Sequence, residues 1–135
     1  MQYGACSVVD ELAFPIEEIP DADAVFMRAH QMHFSGADLK PGVFRAQQGS
    51  MSVNWNKYAS AEDTRQQARK HPEQNAVISL LVGGIRKIRD LDVKHTPDYS
   101  NRAHSEIILP TNDEDLTEMR VMLHRLAIIV IPLAQ

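Results

Sequence analysis

Ala76-Val77-Ile78-Ser79-Leu80-Leu81-Val82 is a nearly unbroken apolar run bounded by Asn75 on one side and Gly83-Gly84 on the other. A run of this length between turn-forming residues suits a strand covered on both faces, so the rest of the chain must supply neighbouring strands and helices to cover it. Ala127-Ile128-Ile129-Val130-Ile131 is the second such run. It is rich in β-branched residues and stopped by Pro132, which predicts a second interior strand.

Between these runs the periodicity changes from segment to segment. Pro20-Asp21 and Ser35-Gly36 bracket a segment in which Val25, Ala29 and Met32 recur at i, i+4 and i+7, and the expectation is a helix from Ala22 to Phe34. The rival is a strand, because Phe26, Arg28, His30, Met32 and Phe34 also alternate. Residues 35–41 are loop formers. Met51, Val53 and Trp55 alternate with Ser50, Ser52 and Asn54, the pattern of a half-buried strand. Ser60 and Asp63 imitate a capping box for a surface helix of about ten residues that closes before His71-Pro72. Ile85, Ile88 and Leu91 suggest a helical turn, while Gly83-Gly84 reads as a turn or bulge. Leu91, Val93 and His95 alternate in a further strand, and the alternation resumes over residues 103–109, so residues 96–102 read as the connection of a hairpin. Thr111-Asn112-Asp113 supplies a cap for a helix through Leu126, with Leu116, Met119, Leu123 and Leu126 at helical spacing.

Helices and strands therefore mix without regular βαβ alternation. This predicts an α+β fold, a single compact domain over residues 1–135 with a mostly antiparallel sheet and two or three flanking helices; residues 1–20, broken by Pro15 and Pro20, read as a loosely attached segment. The formal net charge is −4 and Lys and Arg are scattered, apart from Arg86, Lys87 and Arg89, so the broad basic footprint of duplex DNA binding is missing. A single cysteine, Cys6, excludes an intramolecular disulfide and a multi-thiolate zinc site, and fits a reducing cytoplasm. The apolar runs are too short to span a bilayer, and no secretory leader pattern opens the chain, so no membrane association is expected.

Functional candidates concentrate in His95-Thr96-Pro97-Asp98-Tyr99-Ser100-Asn101-Arg102-Ala103-His104. If the flanking strands pair, His95 and His104 come close at the strand ends, and two imidazoles in one cleft can serve as base and acid near neutral pH, as in phosphodiester cleavage. Arg102, Lys94 or Arg45 would then stabilise phosphate charge. The competing reading makes His95 a hydrogen-bonded core residue, since it shares a face with Leu91 and Val93. Asp98 and Asn101 are explained as turn formers. His30 and His33 could ligate a metal only from one helix face, and their spacing of three departs from the helical zinc signature, so no metal and no cofactor are expected.

A further cluster joins Arg45, Ser50, Ser52 and Tyr58. Enzymes that cleave NAD often combine an arginine, a serine-bearing strand and a late glutamate, and Glu106 or Glu118 stands in the right order for the last. The sequence thus points to a cleft with His95 and His104 in catalysis and Arg45, Ser52, Tyr58 and Arg102 in binding, for a small phosphate-bearing or nucleotide ligand or RNA. The alternative is a non-enzymatic interaction module acting as a homodimer, through a sheet edge or the helix carrying Met119, Met122 and Leu123.

Overall fold

The computed structural model describes residues 14–109 and 113–134. Its strands are β1 (Ala24–His30), β2 (Phe34–Ser35), β3 (Asp38–Leu39), β4 (Ser50–Trp55), β5 (Asn75–Leu81), β6 (Asp92–His95), β7 (His104–Ile108) and β8 (Ile128–Ile131). Three helices, α1 (Ala61–Gln66), α2 (Val82–Lys87) and α3 (Asp113–Leu126), complete an α+β domain. Six strands form one antiparallel sheet in the order β6-β7-β4-β1-β5-β8, and β2 and β3 make a separate small hairpin.

One face of the sheet is apolar. Val25 and Ala29 of β1, Met51, Val53 and Trp55 of β4, Ile78 and Leu80 of β5, and Ile107 of β7 point into a core closed by Phe44, by Val82 and Ile85 of α2, and by Met119 and Leu123 of α3. Each large side chain removed from water here contributes about 1.5–3 kcal/mol before conformational entropy is set against it. The opposite face carries Arg28, Ser52, Asn54, His104 and Glu106, and among the described residues α1 lies across it, against β1 and β5. The sheet is thus a one-sided core with a polar face, as alternation in antiparallel strands allows.

Three expectations are corrected. The segment expected as a helix over 22–34 is strand β1, followed by a 3-10 turn over Gln31–His33. β1 pairs with β5 at every position from Ala24 to His30 and also meets β4, and that pairing overrides the helical spacing of Val25, Ala29 and Met32, of which Met32 is 64% exposed. Gly83-Gly84 lies inside α2 rather than in a turn or bulge. β8 is outermost in the sheet, not interior, and Ile128 is 64% exposed. β-branched composition favours a strand but does not choose its place in the order.

The capping box at Ser60 and Asp63 is present, with both reciprocal bonds at 3.0 Å, although the helix it starts is only six residues long. The expected cap at Thr111 and Asn112 lies outside the described residues, as do Cys6 and the apolar residues of 7–13. No helix of the described residues is long and apolar enough to cross a membrane.

Candidate functional site

β1 pairs with β4 only at Val25↔Trp55 and Phe26↔Asn54, whereas β1 and β5 stay in register over the whole of β1. β4 remains paired with β7 from Ser50 to Asn54. Past Phe26 and Asn54 the strands therefore part, and the sheet divides into two wings, β6-β7-β4 and β1-β5-β8. The parting opens a cleft of two adjoining hollows, of about 630 Å³ and 730 Å³, that share Met27, Arg28, Val43 and Ser52. His30, His33, Asn54, Asn101 and His104 line the first hollow; Arg45, Gln47, Ser50 and Glu106 line the second.

Arg28 stands at the junction. Its Nη1 donates to the Thr64 carbonyl of α1 at 3.0 Å, and among the described residues it forms no ion pair with a carboxylate. The residue as a whole is exposed, yet protein surrounds its charged end closely enough for desolvation to lower the guanidinium pKa. Arginine does not lose its proton in proteins, so the group remains a cation at neutral pH.

Asn54 is 4% exposed and bonded at both ends of its amide. Its Nδ2 donates to Thr64 Oγ1 at 3.1 Å and to Gln67 Oε1 at 2.9 Å, and its Oδ1 accepts from Asn101 Nδ2 at 2.9 Å. One buried side chain thus ties α1 to the turn between β6 and β7. That turn is built by Asp98, whose Oδ1 accepts from Ser100 Oγ at 2.6 Å and from the main-chain N–H groups of Ser100 and Asn101, each at 2.8 Å. The Ser100 hydroxyl, more than the two N–H groups, holds the Asp98 carboxyl below its usual pKa.

His104 lies across from Asn54 in the β4–β7 ladder. Its Nδ1 is 2.9 Å from the Thr96 carbonyl and 3.0 Å from Thr96 Oγ1, and its Nε2 is 3.4 Å from Ser52 Oγ. His33, in the turn after β1, is half-buried; desolvation lowers its pKa first, and the charges of Arg45, His30 and Lys40 lower it further. His30 closes β1 and accepts the Met32 N–H on its Nδ1 at 3.1 Å. In the second hollow Ser50 Oγ donates to Glu106 Oε2 at 2.6 Å.

Of the residues assigned catalytic or binding roles in the sequence, the cleft gathers Arg45, Ser52 and His104, and with them His30, His33, Ser50 and Glu106, which are also weighed there. His95, Tyr58 and Arg102 lie elsewhere. His95 is 2% exposed on the apolar side; its Nδ1 accepts the Glu17 N–H at 3.0 Å and its Nε2 donates to the Arg102 carbonyl at 2.7 Å. It packs edge-on against Trp55 at 5.0 Å and over Tyr58 at 6.1 Å. The Tyr58 hydroxyl bonds Glu17, and the Arg102 guanidinium sits 4.2 Å from the Tyr58 ring centroid and 3.8 Å from the same glutamate. These three side chains anchor the segment around Glu17 to the back of the sheet.

Arg28 and Asn54 are cleft residues for which the sequence suggests no site role, Asn101 is explained there as a turn former, and His33 is weighed there only as a metal ligand. The signal for Arg28 was the alternation of Phe26, Arg28 and His30, which as a strand puts Arg28 on the polar face. Among the described residues no group of three or more His, Cys, Asp or Glu side chains could hold a metal ion. No protein-family model, curated protein or solved structure matches this chain.

Proposed function

We propose that the cleft between the two wings binds a phosphate-bearing nucleotide, with Arg28 as the anchor of the phosphate. The observation that carries this reading is that Arg28 is fixed by a main-chain carbonyl and left without a carboxylate partner among the described residues, at the junction of two polar hollows. A desolvated arginine without a counter-charge favours an anion, and its planar donors match phosphate oxygens. His33, His104 and Arg45 add no negative charge, and the carboxylates that line the hollows are each engaged, Asp98 by its own turn and Glu106 by the Ser50 hydroxyl. The Asn101 amide and the Gln67 Oε1 are engaged within the protein, whereas the Gln67 Nε2, which makes no bond among the described residues, offers a donor suited to a base edge. Each hollow falls in the range of about 300–1,000 Å³ common for small-molecule sites. His95 faces away from the cleft, so proton transfer in this reading belongs to His104 and His33.

Titration calorimetry with nucleoside mono- and diphosphates, and with short single-stranded RNA, tests the reading. Binding should weaken about ten- to a hundredfold in Arg28→Ala, the loss expected for a charge-assisted bond of about 1.5–3 kcal/mol. Absence of binding by every nucleotide, or affinity untouched by Arg28→Ala, would sink it.

The homodimer reading retains one specific observation. Ile128, Ile129 and Val130 on β8, with Val121 and Met122 on α3, are exposed apolar side chains, although Met119 and Leu123 belong to the core. An outermost apolar strand is a template for pairing with another chain. Light scattering across micromolar concentrations decides this: a uniform monomer removes the reading.

A further inference from the structure

We infer that Ser52 is a nucleophile activated by His104, and that the cleft carries out phosphoryl transfer through a covalent phosphoserine. This inference rests on the cleft being a nucleotide-phosphate site and adds the bond that is broken there.

The tautomer of His104 follows from its neighbours. A carbonyl oxygen only accepts, so the 2.9 Å contact between Nδ1 and the Thr96 carbonyl places the ring proton on Nδ1. Neutral imidazole then has its lone pair on Nε2, which is directed at Ser52 Oγ, 3.4 Å away. The serine hydroxyl is the only possible donor in that pair. A nucleophile, a base within reach and a third group that orients the base are the parts required to activate a serine, and the first contact is often long in a ligand-free protein.

The neighbouring residues separate Ser52 from its fellow serines. Ser50 Oγ is spent on Glu106 at 2.6 Å and Ser100 Oγ on Asp98 at 2.6 Å. Ser52 is exposed, makes no other side-chain bond among the described residues, and lines both hollows together with Arg28. By alternation Ser52 and Arg28 occupy the same face of β4 and β1, one strand apart, where a phosphate held by the guanidinium would present its phosphorus to the hydroxyl.

In the first step Ser52 Oγ forms a bond to phosphorus while His104 Nε2 takes the hydroxyl proton. The phosphorus–oxygen bond to the leaving alcohol or phosphate, in line with the attack on the far side of phosphorus, breaks, and that oxygen takes a proton from solvent while His104 keeps the serine proton. Water then attacks the phosphoserine from that far side and loses its proton to solvent; the serine oxygen leaves, takes its proton back from His104, and phosphate or a nucleoside monophosphate departs. Arg28 offsets charge on the non-bridging oxygens in both steps.

The full chain treated with an alkyl fluorophosphonate, which loses fluoride to an activated serine, provides the test, with the adduct located by tandem mass spectrometry. The expected result is an adduct on Ser52 in preference to Ser50 and Ser100, absent in Ser52→Ala, and formed about a hundredfold more slowly in His104→Gln, a typical loss for a missing general base. A melt followed by circular dichroism verifies that each variant is folded. No adduct on Ser52 in the wild-type chain, or an unchanged rate in folded His104→Gln, overturns the inference. The two readings fail separately: a wild-type chain that binds nucleotides but is not labelled loses the nucleophile and keeps the binding site, whereas one that is labelled but binds no nucleotide loses the phosphate substrate.

Discussion

Asn101 donates its side-chain amide to Asn54 Oδ1 at 2.9 Å, a bond between residues 47 positions apart that joins the β6–β7 turn to the floor of the cleft. Because the other end of the Asn54 amide is spent on Thr64 and Gln67, this one residue braces the β6–β7 turn against α1. Thr64 in turn presents the carbonyl that holds Arg28. Replacing Asn54 with Leu, close in volume but unable to bond, takes one partner from the buried Thr64 hydroxyl, which keeps the Ser60 carbonyl at 2.9 Å, and one from the half-buried Asn101 amide. A loss of about 1–3 kcal/mol is expected, since unmade buried bonds cost that much each. Chemical denaturation measures it, and a stability equal to that of the wild type would contradict the strut role.

The two histidines that bracket residues 95–104 should behave in opposite ways. His95→Ala removes a ring enclosed by Trp55 and Tyr58 and strands the Glu17 N–H and the Arg102 carbonyl. The combined cavity and unpaired groups should cost about 3–5 kcal/mol, with ligand affinity of the folded fraction little changed. His104→Ala empties a position at the rim of the cleft and should cost about 1 kcal/mol while removing ligand binding or turnover. Thermal melts paired with calorimetry separate the two; equal destabilisation would mean that His104 is structural as well.

The parts of the fold that could be read in advance are those where burial is written along a single element. β4 shows it, with Met51, Val53 and Trp55 buried against Ser52, and so does β7 with Ser105 and Ile107. β1 carried two periods at once, and partner strands on both sides, not local preference, selected period two. The cleft depends on a relationship that no local stretch contains, the point at which β1 and β4 separate. Ser52 and His104 were visible as polar residues on well-patterned strands. Arg28 acquires its role only when α1, some 36 residues further on, brings the Thr64 carbonyl to it.

His33 supplies a pH signature. Its pKa is lowered by desolvation and then by the positive charges of Arg45, His30 and Lys40. As pH falls through about 6.5 the unfolded chain takes up the proton before the folded one, so stability drops between there and the depressed folded value, the loss is complete below that value, and above about 6.5 this residue has no effect. An anion in the cleft offsets the surrounding charges and should raise the His33 midpoint, so nucleotide binding should tighten as pH falls through the same range. NMR titration of the ring protons, with and without nucleoside diphosphate, reads both. Arg45→Ala should also raise the midpoint of the free protein. A free-protein midpoint at or above the ordinary histidine value, or one that the ligand leaves unmoved, would count against the cleft as an anion site.

Gly83 and Gly84 predict a contrast between neighbouring substitutions. Both lie in the first turn of α2, where Gly83 N–H donates to the Asp21 carbonyl at 2.9 Å and Val82 N–H to the Asp23 carbonyl at 2.9 Å, so the turn before β1 caps the helix with its main chain. A methyl group on Gly83 would come 3.0 Å from that same Asp21 carbonyl oxygen and 3.1 Å from Asp21 Cβ. Main chain already engaged in the cap has little room to yield, so Gly83→Ala should destabilise by about 1–3 kcal/mol, as overpacking does. At Gly84 the obstruction is Leu126 Cδ2 at 2.9 Å, the end of a half-buried side chain that can change rotamer. There the gain of about 1 kcal/mol from replacing helical glycine with alanine should nearly cancel the cost. Melting temperatures of the two variants decide the matter: Gly83→Ala must fall well below Gly84→Ala, and the reverse order would mean that Leu126, not the cap, limits the close approach of α2.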